Sequence, residues 1–414
     1  MAANTKNKSQ KKPGSRSLFY RISAWLHLWL GLISGIIVVI ICITGCIWVF
    51  NEEITGLLQP ETNVAPQHKA ILKPSQIMAV VEKEYPGKRP GYAIYKQGKT
   101  IEVSMGGRKG GSTLHINPYS GEVISKIERK EGETSFFRWI LNGHRFLWLP
   151  YQIGRPIVNY STLICVITLI SGLVLWWPKK WNKNTRQQSF KIKWGASFKR
   201  VNYDLHNVFG FYSLLLLLMI ALTGMVWGIE WYSKGLYWVT AGGKPLPEFV
   251  ELKSDSLQAN KHYTPAQAAD LAWNKVTAKH AAAKGFYIAF PDTARPKAII
   301  NIIVYPSKGQ YYNNQRYAFD QHTLAELKGN KLYEESYAEA SFGTKLRRMN
   351  YDIHVGSILG LPGKFLAFFA SLIGATLPVT GFLVWWGKRK KKKQPAKVPI
   401  IPNAKNEVPA VAIH

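Results

Sequence analysis

The chain has 414 residues, and 54 Lys and Arg against 24 Asp and Glu leave it at +30 near neutral pH. Its mean hydropathy is close to zero only because four apolar runs are averaged with very polar stretches, so an ordinary soluble globular composition is excluded. The positive charge gathers beside the apolar runs, as at Lys388 to Lys393, which argues against nucleic acid as a partner and for anionic membrane lipid.

Residues 1–27 are basic and lead into the first apolar run, 28–50. That run has about the ~20 residues that cross a ~30 Å hydrocarbon layer as a helix. It is too long for a signal core and lacks a small-x-small cleavage site, so it is expected to remain as an anchor. In the polar stretch 51–152, Pro74 to Tyr85 has an N-terminal proline and helical spacing. Gly91 to Tyr95, Thr100 to Met105 and Ser112 to Asn117 are short β-rich runs, and Asn117-Pro118-Tyr119-Ser120-Gly121-Glu122 is a turn into Val123-Ile124. A second apolar run covers 153–177, a basic loop 178–206, and a third apolar run 207–229. The polar stretch 230–363 repeats the earlier order: Tyr263 to His280 as a helix, then Gly285 to Phe290, Ala298 to Tyr305 and Tyr312 to Phe319 as strands, and an Asp320 turn into Leu324. The fourth apolar run, 364–387, is followed by the basic tail 388–414.

Cys42, Cys46 and Cys165, the chain's 3 cysteines, all fall inside the apolar runs, so the polar stretches hold no disulfide framework. Segments 1–21, 178–205 and 388–414 hold 22 of the 54 basic residues and 2 of the 24 acidic ones. Short cytoplasmic loops retain Lys and Arg, so both termini and the 178–206 loop are predicted to be cytoplasmic, with 51–152 and 230–363 on the opposite side. The predicted fold is membrane α-helical: four transmembrane helices in a duplicated unit of helix, small α+β domain and helix, the small domains spanning about 72–127 and 263–328.

The duplication is also written in the spans. His27, Gly31, Thr44-Gly45 and Trp48 have the same spacing as His206, Gly210, Thr223-Gly224 and Trp227. His144 precedes Gly154-Arg155 and Trp176-Trp177 as His354 precedes Gly363-Lys364 and Trp385-Trp386, with the second copy one residue shorter. His27 and His206 are predicted at the cytoplasmic ends of the first and third helices, and His144 and His354 near the outer ends of the second and fourth. From His27 to Trp48 is about 31 Å of helix, so the two histidine layers are predicted to be close to a bilayer apart.

Intramembrane histidines are functional candidates. A pseudo-twofold axis along the membrane normal would bring equivalent ones together, and two neutral imidazoles facing across a bundle core are a means of holding a b-type haem. Two b-type haems are therefore expected, an inner one on His27 and His206 and an outer one on His144 and His354, with haem iron the only metal and no catalytic residues distinct from the haems. Arg21, Arg200, Arg145, Arg347 and Arg348 are available as propionate partners. Gly31, Gly35, Gly210, Gly356 and Gly360 fit either a flat macrocycle or helix contact. Arg200-Val-Asn-Tyr-Asp-Leu-His206 is echoed by Arg348-Met-Asn-Tyr-Asp-Ile-His354, although the two are not equivalent positions in the duplication, and Asp204 and Asp352, each two residues before a histidine, are expected to cap helix starts or to orient the imidazoles. The tryptophans near the span ends read as an interfacial belt.

The helix starts Leu72-Lys73-Pro74-Ser75-Gln76 and Tyr263-Thr264-Pro265-Ala266-Gln267, the Asn117 turn, and the span ends Ser171-Gly172-Leu173-Val174-Leu175-Trp176-Trp177 and Thr380-Gly381-Phe382-Leu383-Val384-Trp385-Trp386 resemble the PepSY-associated transmembrane family over roughly 18–390. The second small domain departs from the turn pattern, with Leu324 where the first has Gly121. The resemblance implies a bacterial inner-membrane protein of iron acquisition with periplasmic PepSY-like domains, some relatives being di-haem reductases of ferric siderophores. Reducing Fe(III) weakens hard oxygen-donor chelates, so an enzyme of the ferric-siderophore or ferric-chelate reductase type is the expectation. The 178–206 loop is too short for a flavin or nicotinamide domain, so electrons must come from a separate donor, quinol or another reductase. The alternative is a haem-free, membrane-anchored PepSY protein that binds and regulates a peptidase or other partner. A transporter is disfavoured, because spans without internal charge offer a poor polar pathway.

Overall fold

The computed structural model describes residues 16–106, 111–130, 132–258, 263–329 and 331–392; the basic segment ahead of Arg16 and the tail beyond 392 lie outside the described residues. In chain order the elements are α1 Leu18–Trp48, α2 Asn51–Leu58, α3 Pro74–Glu84, β1 Tyr92–Lys96, β2 Ile101–Met105, β3 Gly111–Ile116, β4 Val123–Arg129, α4 Phe136–Phe146, α5 Tyr151–Trp176, α6 Lys183–Phe190, α7 Phe198–Met225, α8 Glu230–Thr240, α9 Pro265–Lys279, β5 Gly285–Ala289, β6 Ile299–Tyr305, β7 Gln315–Asp320, β8 Glu326–Leu327, α10 Phe342–His354 and α11 Gly360–Lys392.

Among the described residues, four helices are long and apolar enough to cross a membrane: Leu18–Trp48, Tyr151–Trp176, Phe198–Met225 and Ser357–Gly387. Two of them begin well ahead of their apolar runs. Ser17 accepts a hydrogen bond from the Tyr20 amide and starts α1 there, and Ser197 takes the cap position of α7. A started helix propagates through polar residues at little cost, so His27 and His206 lie in helix interiors and not at helix ends. His144 and His354 sit on the separate short helices α4 and α10, each followed by a tight turn into a span. After α4 the turn places Leu147 and Trp148 at positive φ, and Trp148 is held there by tilted ring contact with Trp139 and by donating Nε1–H to the Trp139 carbonyl. After α10 the same reversal uses Gly356 and Gly360.

The two predicted small domains join into one sheet. All its pairings are antiparallel and its order is β4-β3-β2-β1-β5-β6-β7-β8, so two four-stranded meanders meet along their first strands. At that seam Tyr92 to Lys96 pair with Ala289 to Gly285. A Cβ on Gly285 would lie 2.6 Å from the Tyr95 carbonyl oxygen, which is why the seam needs glycine. Helices α3 and α9 cover one face, with Ile77, Val81, Ala268 and Val276 packed on Ala93, Val103, Ile288, Ile300 and Ile302 in a single core. Ser75 donates to Asp270 across the two helices. The two turns also match in backbone. Leu324 adopts the left-handed conformation (φ 61°) that Gly121 adopts in the first copy (φ 77°), and Asp320 accepts from the next amides as Asn117 does.

The sheet is tied to one end of the helical bundle. Lys96 of β1 pairs with Glu52 of α2 at 2.9 Å, and the Tyr311 hydroxyl donates to the same carboxylate at 2.6 Å. Asp352 of α10 accepts the Tyr311 amide and the Ser357 hydroxyl.

Candidate functional site

The four long helices and the two short ones enclose a continuous cavity of about 920 Å³, at the upper end of the range for ligand sites. Its walls are mostly apolar, and it reaches from His27 and His206 at the end away from the sheet to His144 and His354 at the end beside it. His27 and His206 face each other with ring centres 6.0 Å apart, and His144 and His354 do so at 6.1 Å.

Each imidazole is held in the same way, by a Ser/Thr-Gly dipeptide on a neighbouring span. His27 donates Nδ1–H to the Thr168 carbonyl at 2.9 Å beside Ser171-Gly172, and His144 donates to the Ile41 carbonyl at 2.8 Å beside Thr44-Gly45. His206 donates to the Thr380 hydroxyl at 3.0 Å, and His354 to the Ile220 carbonyl and the Thr223 hydroxyl, each at 3.0 Å. The four hydroxyls donate their own protons to backbone carbonyls of their helices. Only oxygen lone pairs therefore face the rings, so Nδ1 must carry the imidazole proton and Nε2 is left with a free lone pair.

The glycines complete the clamp. A Cβ would lie 3.0 Å from His27 Cε1 at Gly172, 3.1 Å from His206 at Gly381, 3.2 Å from His144 at Gly45 and 3.3 Å from His354 at Gly224. A side chain at any of these positions would intrude on the ring. The paired motif Arg-x-Asn-Tyr-Asp-x-His also acquires a physical meaning. Asn202 donates to the Thr380 carbonyl and Asn350 to the Thr223 carbonyl, both at 3.1 Å. Each thus pins the dipeptide that clamps the histidine four residues later, a role that sequence reasoning missed although it had singled out the motif. The aspartates neither cap nor touch the rings. Asp204 is fully buried inside α7, where it accepts from Arg200 and the Lys193 amide, while Asp352 anchors the Tyr311 loop.

Among the described residues no three or more His, Cys, Asp or Glu side chains are placed to hold a metal ion; the imidazoles meet in twos. Two is the number required by an iron already held in the plane of a macrocycle. Imidazoles that approach each other in twos, with Nε2 free on each, would hold such a group, as in a b-type haem. The observed 6.0 and 6.1 Å, the free Nε2 atoms and the apolar walls fit that group at both levels.

The family profile of the PepSY-associated TM region matches residues 24–388. The chain belongs to this family. A comparison with curated proteins gives no match.

The arginines of this PepSY-associated TM protein are placed differently from the sequence expectation. Of the five proposed propionate partners, only Arg145 lines the cavity. Arg200 is engaged by Asp204, and Arg348 is buried, donating to the carbonyls of Tyr312, Glu335 and Asn314. Arg21 and Arg347 are not part of the lining. Two unforeseen arginines are: Arg16 at the end away from the sheet and Arg155 beside Arg145. The described lining contains these three guanidiniums and no Asp, Glu or Lys. Gly31, Gly35 and Gly210 line the cavity, and of these Gly35 packs closely on Pro378 of α11, where a Cβ would lie 3.2 Å from the proline ring. Trp176 is no interfacial anchor; it is buried and stacked on Phe211 at 3.7 Å.

Proposed function

We propose that the chain is a di-haem, b-type electron-transfer protein of the bacterial inner membrane that reduces a ferric chelate of the siderophore class at its periplasmic side. The observation that carries this reading is the double imidazole pair, with every Nδ1–H committed to backbone or hydroxyl oxygen. His27 and His206 would hold one haem, His144 and His354 the other. Bound there, the haems would supply two one-electron carriers at different depths of the membrane. The chain itself fixes the tautomer, sets the ring planes through the Ser/Thr-Gly clamps and excludes water with its apolar walls.

The clustering of Lys and Arg supports an orientation with the His27–His206 end toward the cytoplasm and the sheet in the periplasm. Matching clamps, meanders and turns in the two halves support descent from a duplicated helix, α+β and helix unit. Membership of the PepSY-associated TM family supports iron acquisition as the setting, and a separate quinol or reductase as donor follows from the short 178–206 loop.

Purified protein should show a b-type α band in the dithionite-reduced minus oxidised spectrum. The His27→Ala and His206→Ala double variant should keep about half of it. Adding a ferric hydroxamate or catecholate to prereduced protein under argon should reoxidise the haem and release Fe(II) to a ferrous indicator. Haem that stays reduced would remove the reductase claim, and a colourless, folded protein would favour the haem-free anchor of a regulatory sheet domain.

A further inference from the structure

The outer end of the cavity is electrically lopsided. Arg155, in the second turn of α5, and Arg145, in the last turn of α4, both line the cavity and both act electrostatically on His144. They also act on each other, and neither has an acidic partner among the described residues. The Arg155 Nε is buried without a hydrogen-bond acceptor. In the other half the position matching Arg155 is Lys364, and its charge is already spent: it is buried and pairs with Glu53 at 2.7 Å. The sequence repeat therefore places a cation at the same point of both halves, and the fold neutralises only one of them.

Two guanidiniums that line one partly desolvated cavity and repel each other, with the Arg155 Nε unmet, call for an anion, and a pair of carboxylates remedies both faults through charge-assisted hydrogen bonds. We propose that Arg145 and Arg155 form a carboxylate receptor that seats the propionate edge of the macrocycle held by His144 and His354 against α4 and α5. This rests on the di-haem reading. The receptor fixes which way round the outer macrocycle lies, since in the other half Lys364 is paired with Glu53 and Arg347, whose Nε is also unmet, does not line the cavity. It also biases the outer site toward the reduced state, because reduction subtracts a positive charge beside two cations.

The test is an optical redox titration of the purified holoprotein as wild type, Arg155→Met and Arg155→Lys. The outer step is identified as the one missing from His144→Ala. Arg155→Met should keep two haems and raise the outer ferric-to-ferrous ratio at fixed potential about tenfold, a shift of about 59 mV to the negative for one electron, with the inner step unmoved. Arg155→Lys should titrate close to wild type. An outer step in Arg155→Met that coincides with wild type, or an equal shift in Arg155→Lys, would overturn the receptor. If Arg155→Met loses the outer haem, retention by Arg155→Lys supports the proposal and loss by both assigns the residue to packing. A colourless wild type would instead sink the di-haem reading, and the receptor with it.

Discussion

Replacing Gly172 probes the clamp where it is tightest. A Cβ there would sit 3.0 Å from His27 Cε1, whereas carbon atoms rest about 3.5–4.0 Å apart. Alanine therefore asks the ring to move by about half an ångström or more. The hydrogen bond from Nδ1 to the Thr168 carbonyl, now 2.9 Å, would be stretched beyond useful length by such a shift. Losing it costs about 1 kcal/mol net, and overpacking adds about 1–3 kcal/mol. The sum of about 2–4 kcal/mol corresponds to a loss of affinity between about 30-fold and several hundredfold at the inner site. Valine, branched into the space of the ring, should abolish that site. The assay is haem retention per polypeptide during challenge with an apoprotein haem acceptor, with the Gly45→Val variant as the matching test of the outer site. Gly172→Val protein that keeps both haems at the wild-type exchange rate would refute the clamp.

The ring planes cross at 77° for His27 with His206 and at 65° for His144 with His354, so the ferric protein should give low-spin EPR signals with a large maximal g value; a purely rhombic signal of parallel imidazoles would contradict the packing. Asn350 is buried and pins the Thr223 carbonyl, so Asn350→Leu should destabilise the fold by about 1–3 kcal/mol and speed loss of the outer haem, and an unchanged melting curve with unchanged haem loss would count against it. Burial opposes the charge on Glu52, but Lys96, the Tyr311 hydroxyl and Lys364 more than offset it, and its carboxyl titrates below the usual carboxylate range. Its stabilising contribution is then complete above the unfolded pKa of about 4.3 and is lost as pH falls through the folded value, so Glu52→Gln should flatten the acid limb of a melting-temperature profile. A profile with the wild-type slope would show that this junction does not respond to acid.

Much of this layout is legible in the residues because it is periodic. Four apolar runs announce the spans, and the shared spacing of His27 and His206 marks them as a pair. Helix starts were less legible, since hydropathy places them near 28 and 207 while the serine caps place them at Leu18 and Phe198. The fusion of two small domains into one sheet is written in backbone hydrogen bonds between β1 and β5, and no side-chain pattern announces which edges will meet. The arginines were the hardest to rank. Arg348 and Arg155 look alike in sequence, and only their folded neighbours, three carbonyls around one and an unmet Nε in the other, tell them apart. The Arg-x-Asn-Tyr-Asp-x-His echo was visible, but its aspartate drew attention that belonged to the asparagine.

The haem content of the purified protein, measured as pyridine haemochrome per polypeptide, tests the central claim most directly. Two per chain in the wild type, falling to one in either paired-histidine double variant, is the predicted result. A wild-type ratio near zero from cells supplied with iron and porphyrin precursor, or a ratio unaffected by removal of His27 with His206, would contradict it.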